Sequence, residues 1–113
     1  MHEVGLMQAA LEIALRHAER HGAGRVHGLA LRVGPLSGAV PEALEFAFDV
    51  VAQGTIAEGA RLEIRRVPIL CACAACGLEF RPTDFPPDCP GCGRPGARVT
   101  HGRELELDSV EIS

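Results

Sequence analysis

The sequence predicts an α+β fold: a small three-stranded sheet with two helices, into which a cysteine-rich domain is inserted ahead of the last strand. Three observations predict it. Helical periodicity fills residues 4–20 and returns after Pro41, strand-like alternation occurs at 25–33, 61–67 and 104–112, and all five cysteines fall within 69–100.

In the first segment Val4, Met7, Leu11, Ala14, Leu15 and Ala18 recur at steps of three and four, with Gln8, Glu12, Arg16 and Glu19 opposite. Leu6, Ala10 and Ile13 widen the apolar arc, so this helix is expected to meet a sheet and a second element, either another helix or a partner. Gly22 and Gly24 supply the stop, and Arg16, His17, Arg20 and His21 suit the negative helix end. Leu29, Leu31 and Val33 then share one face of a strand. The run Gly34-Pro35-Leu36-Ser37-Gly38 reads as a loop, and Pro41 opens a second helix striped by Leu44, Ala47, Phe48 and Val51 and ended by Gly54. Leu62 and Ile64 mark the buried side of the next strand. In the last one, Leu105 and Leu107 are out of phase with Val110 and Ile112. A bulge near Asp108-Ser109 would return all four to one face.

Composition changes at Pro68. Residues 69–100 hold five of the eight prolines and almost no periodicity, so metal rather than a core is expected to organise them. Because alternation resumes afterwards, the chain divides into an α/β domain of residues 1–68 and 101–113 and an inserted domain of residues 69–100.

With 15 acidic against 11 basic side chains the net charge is −4, which argues against nucleic acid as the default partner. A membrane span is not expected, because no stretch approaches the roughly 18–20 apolar residues one needs. Glu3 and Glu12 in a start that lacks basic residues are unlike a secretory signal. Paired cysteines in such a chain point to a metal site in a reducing cytosol rather than to disulfides.

Cys73-Ala-Ala-Cys76-Gly77 and Cys89-Pro-Gly-Cys92-Gly93 form two matched knuckles. Each Cys-x-x-Cys turn sets two sulfurs on one side, and the following glycine lets the chain turn tightly around an ion. A zinc-ribbon-like four-thiolate site follows. Iron in a rubredoxin-like site is disfavoured because the segment mostly lacks aromatic cover, and matched knuckles suit a closed site better than a dithiol redox pair. Cys71 is a surplus thiol, read as a strand residue beside the site, with ligand exchange as the alternative.

Met1-His2-Glu3 opens directly into the first helix. The Met1 amine, the His2 amide nitrogen and the His2 imidazole can chelate one ion in fused rings, a donor set suited to square-planar Ni(II) or Cu(II). Glu3 supplies a fourth nitrogen or a nearby carboxylate. The positive helix end favours the neutral, ligating amine. Taken alone, a histidine after the initiator is ordinarily solvated.

Among the other histidines, His17 and His21 form an i,i+4 pair able to clamp a metal, but they stand where a cation is favoured in any case. His27 is assigned no role. His101, just before the returning strand, is a candidate additional nickel ligand.

Four motifs in order resemble one family: Met1-His2-Glu3 on an amphipathic helix, Val33-Gly34-Pro35-Leu36-Ser37, the paired knuckles, and Gly102-Arg103-Glu104-Leu105. Together they are similar to the HypA/HybF hydrogenase maturation proteins, which are nickel metallochaperones, and the likeness spans the whole chain. The resemblance implies transient Ni(II) held by His2 and tuned by Glu3, and structural Zn(II) held by Cys73, Cys76, Cys89 and Cys92. It further implies cytoplasmic delivery to a [NiFe]-hydrogenase large-subunit precursor with a HypB-like GTPase, and by analogy a urease-related role. No phosphate-binding loop or nucleophile–base pair is present, so the GTPase activity belongs to another protein and no enzyme is expected. The competing reading is a zinc-ribbon module for protein or nucleic-acid contacts, although Arg61, Arg65, Arg66, Arg81, Arg94, Arg98 and Arg103 are interspersed with acids.

Overall fold

The computed structural model describes residues 2–113. Helix α1 (His2–Arg20) buries Met7, Leu11, Ala14 and Ala18, with Val4 and Leu15 partly buried beside them. It ends in a Schellman cap: Gly22, at φ 66°, donates to the Glu19 carbonyl at 3.1 Å, and Ala23 donates to Ala18 at 2.9 Å. Only glycine takes that left-handed conformation without strain, so Gly22 rather than Gly24 makes the stop.

Strand β1 (Val26–Val33) is followed by a short 3-10 turn (Pro35–Ser37), helix α2 (Pro41–Val51) and strand β2 (Arg61–Arg66). β1 and β2 run parallel, so α2 is their crossover. The last strand, β6 (Leu105–Ile112), pairs antiparallel with β1 and gives the order β2-β1-β6. Leu29, Leu31 and Val33 join both helices in one core, where Met7, Leu44 and Phe48 are the largest fully buried contributors besides Val26. The widened arc of α1 therefore meets a helix, α2, as well as the sheet, while Ile13 stays 55% exposed. The core is mainly aliphatic, since Phe48 is inside but Phe46 and Phe85 are exposed.

The opposite sheet face is laced with ion pairs: Arg32 to Glu106 at 2.9 Å, Arg61 to Glu111 at 3.2 Å, and Arg65 to Asp108. Asp108 is the inserted residue of a bulge, because Ser109 pairs with Ala30 while Leu107 pairs with Leu31. Leu105, Leu107, Val110 and Ile112 all pack against the core as a result. A second irregularity leaves His27 unpaired between Val26–Ile112 and Gly28–Glu111. It lets Val26 share the buried face with Leu29, although the two are three residues apart.

Between β2 and β6 lies a second antiparallel sheet of β3 (Leu70–Ala72), β4 (Glu79–Phe80) and β5 (Arg98–His101), in the order β4-β3-β5. Strands of two to four residues are too short for alternation to register, which is why this segment reads as loop from its sequence.

The two sheets meet at a glycine contact. The Gly34 amide donates to Glu104 O and the Leu36 amide to Gly102 O, each at 2.8 Å, while the Val67 amide donates to Val33 O at 2.9 Å. A Cβ on Gly34 would lie 2.1 Å from the Gly102 oxygen. Gly102 itself sits at φ 121° with Ile69 directly over its missing Cβ. Backbone has no rotamer with which to yield. Gly34→Ala should therefore cost roughly 1–3 kcal/mol, the range of overpacking changes, with melting falling about 4–8 °C per kcal/mol. Gly24→Ala is the control, since nothing lies within 4 Å of its Cβ position. Equal melting temperatures for the two variants in a thermal scan would show that the joint yields freely.

Candidate metal centres

The two knuckles fold alike. Cys73 N donates to Leu78 O at 3.0 Å and Gly77 N returns to Cys73 O at 2.8 Å. Cys89 N donates to Arg94 O at 2.9 Å and Gly93 N to Cys89 O at 2.8 Å. Gly77 and Gly93 take φ of 78° and 75°, the left-handed turn that lets each loop close. The Leu78 and Arg94 carbonyls were not singled out from sequence; the available signal is that both stand five residues after the first cysteine of a knuckle.

This geometry brings together Cys73, Cys76, Cys89 and Cys92, whose sulfurs all lie within 4.8 Å of one another. Among the described residues it is the one group of three or more metal-capable side chains so arranged. The Cys73–Cys92 and Cys76–Cys89 sulfurs are 3.6 Å apart. A tetrahedral thiolate site with Zn–S near 2.3 Å has sulfur–sulfur edges of about 3.8 Å, so the donors fit a bound ion with little movement. The first cysteine of each knuckle is buried and the second exposed. Cys71 is fully buried in β3, opposite Phe80 and Val99, and lies outside the cluster.

Four sulfurs this close divide their protons unequally. The Cys76 backbone N–H, helped by that of Ala75, points at Cys73 and lowers its pKa to about 6 despite its burial. Cys89 is lowered by the Cys92 N–H and then by Gly91. For Cys92 the Arg94 N–H favours the thiolate, but the neighbouring sulfurs, led by Cys73, together with desolvation drive the pKa up to about 12. Cys76 is raised as well: Leu78 N–H pulls it down, while Cys89 and Cys73 together outweigh that pull. A divalent cation at the centre removes this conflict, because all four can then be thiolates.

At the other candidate site, Met1 lies outside the described residues. His2 is 57% exposed on the first turn of α1, with Nδ1 3.4 Å from the Glu3 carboxylate, whose side chain is only 15% exposed. The Glu3 carboxyl is held below its ordinary range by its own backbone N–H, then by His2, with a further contribution from the Val40 N–H. His101 belongs to β5, part-buried, with Nδ1 3.2 Å from Thr100 Oγ1. No metal-capable group of three or more among the described residues includes it or His2.

Residues 1–112 match the family described as hydrogenase/urease nickel incorporation, metallochaperone, hypA. The chain belongs to the HypA family. It is 46% identical over 112 residues to the hydrogenase maturation factor HypA of Picosynechococcus sp., covering 99% of each chain. It is 42% identical to that of Geobacter metallireducens at the same coverage. The fold is that of the solution structure of HypA protein, with TM-score 0.79, 22% identity, and coverage of 100% of this chain and 97% of that one. The solution structure of the Ni metallochaperone HypA from Helicobacter pylori matches with TM-score 0.66 and 20% identity, over 97% and 96% of the two chains. HypA is a metallochaperone family rather than an enzyme family, and among the described residues no helix of this member is long and apolar enough to cross a membrane.

Loading the sulfur cluster should release protons. Cys76, raised above 9.0, and Cys92, near 12, are thiols at pH 7, so a thiophilic divalent ion displaces at least these two. Affinity should therefore rise with pH through neutrality, and fall more steeply below about pH 6 as Cys73 also protonates. Calorimetry in buffers of different ionisation enthalpy measures the count. Fewer than two protons released at pH 7 would contradict the unequal division.

Proposed function

We propose that this chain is a non-enzymatic nickel carrier that binds Ni(II) at its amino terminus and delivers it to the [NiFe]-hydrogenase large-subunit precursor, with a HypB-like GTPase. The observation that carries this reading is a family match beginning at residue 1, so Met1-His2-Glu3 lies inside the matched span. The Met1 amine, the His2 amide nitrogen and the His2 imidazole are the in-plane donors, with Glu3 adjacent and His101 an accessory ligand. The same family description names urease, so a urease precursor system is a parallel recipient. Delivery to such precursors places the carrier in the cytoplasm.

The carrier comprises two units, residues 1–68 with 101–113 and residues 69–100. In the second, Cys73, Cys76, Cys89 and Cys92 hold structural Zn(II). Four thiolates spaced for a tetrahedron leave no position for substrate, which suits a closed zinc site. Bound there, zinc supplies the cohesion that three very short strands lack.

The nickel reading has a clean chemical test. All eleven basic side chains are arginine, so the α-amine is the chain's only primary amine. Acetylation with an amine-reactive ester therefore removes one proposed donor and leaves every side-chain charge in place. Calorimetric Ni(II) titration should show tight binding by zinc-loaded protein with a free amino terminus, with at least a tenfold loss on acetylation or in His2→Ala. His101→Ala should weaken it less. Binding should weaken as pH falls, because protons compete with the ion for the same nitrogen donors. Unchanged tight binding in acetylated protein and in His2→Ala would place the nickel site elsewhere.

The zinc reading is tested by Cys76→Ser. Metal contributes on the order of 10 kcal/mol to folding in comparable small sites, so residues 69–100 should become protease-sensitive while the larger sheet survives. A full equivalent of retained zinc with unchanged protease resistance would overturn the four-cysteine assignment.

A further inference from the structure

We propose that His17 and His21 form a second, exchangeable site for a divalent transition-metal ion, Ni(II) being the probe, at the end of α1 remote from His2. His17 lies on the exposed last turn of the helix and His21, also exposed, directly follows its end, four positions on, where side chains stand near one another. Their ring centroids are 4.3 Å apart, with the planes tilted by 46°.

That separation fits two imidazoles bound cis to one ion. With metal–nitrogen bonds of about 2.0–2.1 Å and the ring centre about 1.1 Å further out, ring centres bound at 90° lie about 4.5 Å apart, against about 5.2 Å for a tetrahedral angle. The observed spacing is close to that of two rings bound cis to one ion of the Ni(II) or Cu(II) type.

The tautomer of His21 is also set. Its Nδ1 lies 2.9 Å from the His17 carbonyl oxygen, and a carbonyl only accepts, so Nδ1 carries the proton and donates. In the neutral ring, Nε2 then holds the lone pair. A backbone carbonyl behind the non-ligating ring nitrogen is the support that metal-bound histidines ordinarily have. Among the described residues neither ring makes an ion pair with a carboxylate. The carbonyl contact alone would also suit a cation at this helix end; the close approach of the two rings is what chelation accounts for. The dipole adds its own attraction for a divalent charge.

His2 and His17 are fifteen residues apart on one helix, a rise of about 22 Å, so the two sites are separate and one ion never spans both. With two protein ligands, the remaining positions belong to water or to a donor from an approaching molecule. This is the composition of a site that exchanges its ion rather than storing it.

The test uses zinc-loaded protein acetylated at its amino terminus, titrated with Ni(II) by calorimetry and by NMR of the imidazole protons. One further equivalent should bind, broadening the His17 and His21 resonances while His27 stays sharp. His17→Ala and His21→Ala, both at exposed positions, should each weaken this event at least tenfold, and His27→Ala should leave it unchanged. No saturable binding in the acetylated protein, or equal binding in His17→Ala and His21→Ala, would overturn the site. The amino-terminal reading is tested separately, by comparing acetylated with unmodified protein.

Discussion

The approach of Gly34 to Gly102 is the contact on which the arrangement of the two sheets depends. Three backbone hydrogen bonds, from Gly34 to Glu104, from Leu36 to Gly102 and from Val67 to Val33, join the end of β1 to the chain leaving β2 and the chain returning from the insert. The insert is thus held where it departs and where it returns. A side chain at either glycine would meet backbone or Ile69, so the packing tolerates only hydrogen there. The Gly-Pro-Leu-Ser loop and the Gly-Arg-Glu stretch, far apart in sequence, are the two halves of this one joint.

Electrostatics divides the work between the units. Among the described residues, the three-stranded sheet of β1, β2 and β6 and its two helices bury no polar or charged residue, and the open sheet face carries arginine–carboxylate pairs that are exposed and individually weak. Stability here comes from aliphatic contacts among α1, α2 and the sheet. The short strands between β2 and β6 have hardly any such contacts and instead gather four sulfurs whose mutual crowding disfavours four thiolates without a cation. The glycine joint ties the two sheets together.

Helix α1 connects the chemistry of the larger domain. Its first turn carries the His2–Glu3 pair, its middle supplies Met7, Leu11 and Ala14 to the core, and its end brings His17 beside His21, which follows the last turn. Because the middle is buried in the core, both ends are presented on one packed helix.

The sequence by itself determined the elements whose signals are local. Steps of three and four in α1 and α2 fix the buried stripe, because a helix repeats every 3.6 residues. The phase change between Leu107 and Val110 locates the bulge at Asp108, because a strand side chain must alternate. Repeated Cys-x-x-Cys-Gly spacing marks the sulfur cluster for the same reason, since the knuckle is a local turn. What only the tertiary structure decided depends on partners distant in sequence. The unpaired His27 is invisible until β6 is laid beside β1. The strands around Cys71 are too short to leave a period. The demand for glycine at 34 and 102 exists only because two loops converge. Even the His17–His21 pair, legible as a spacing, acquires its meaning from a ring separation and a carbonyl contact that the helix end alone could set.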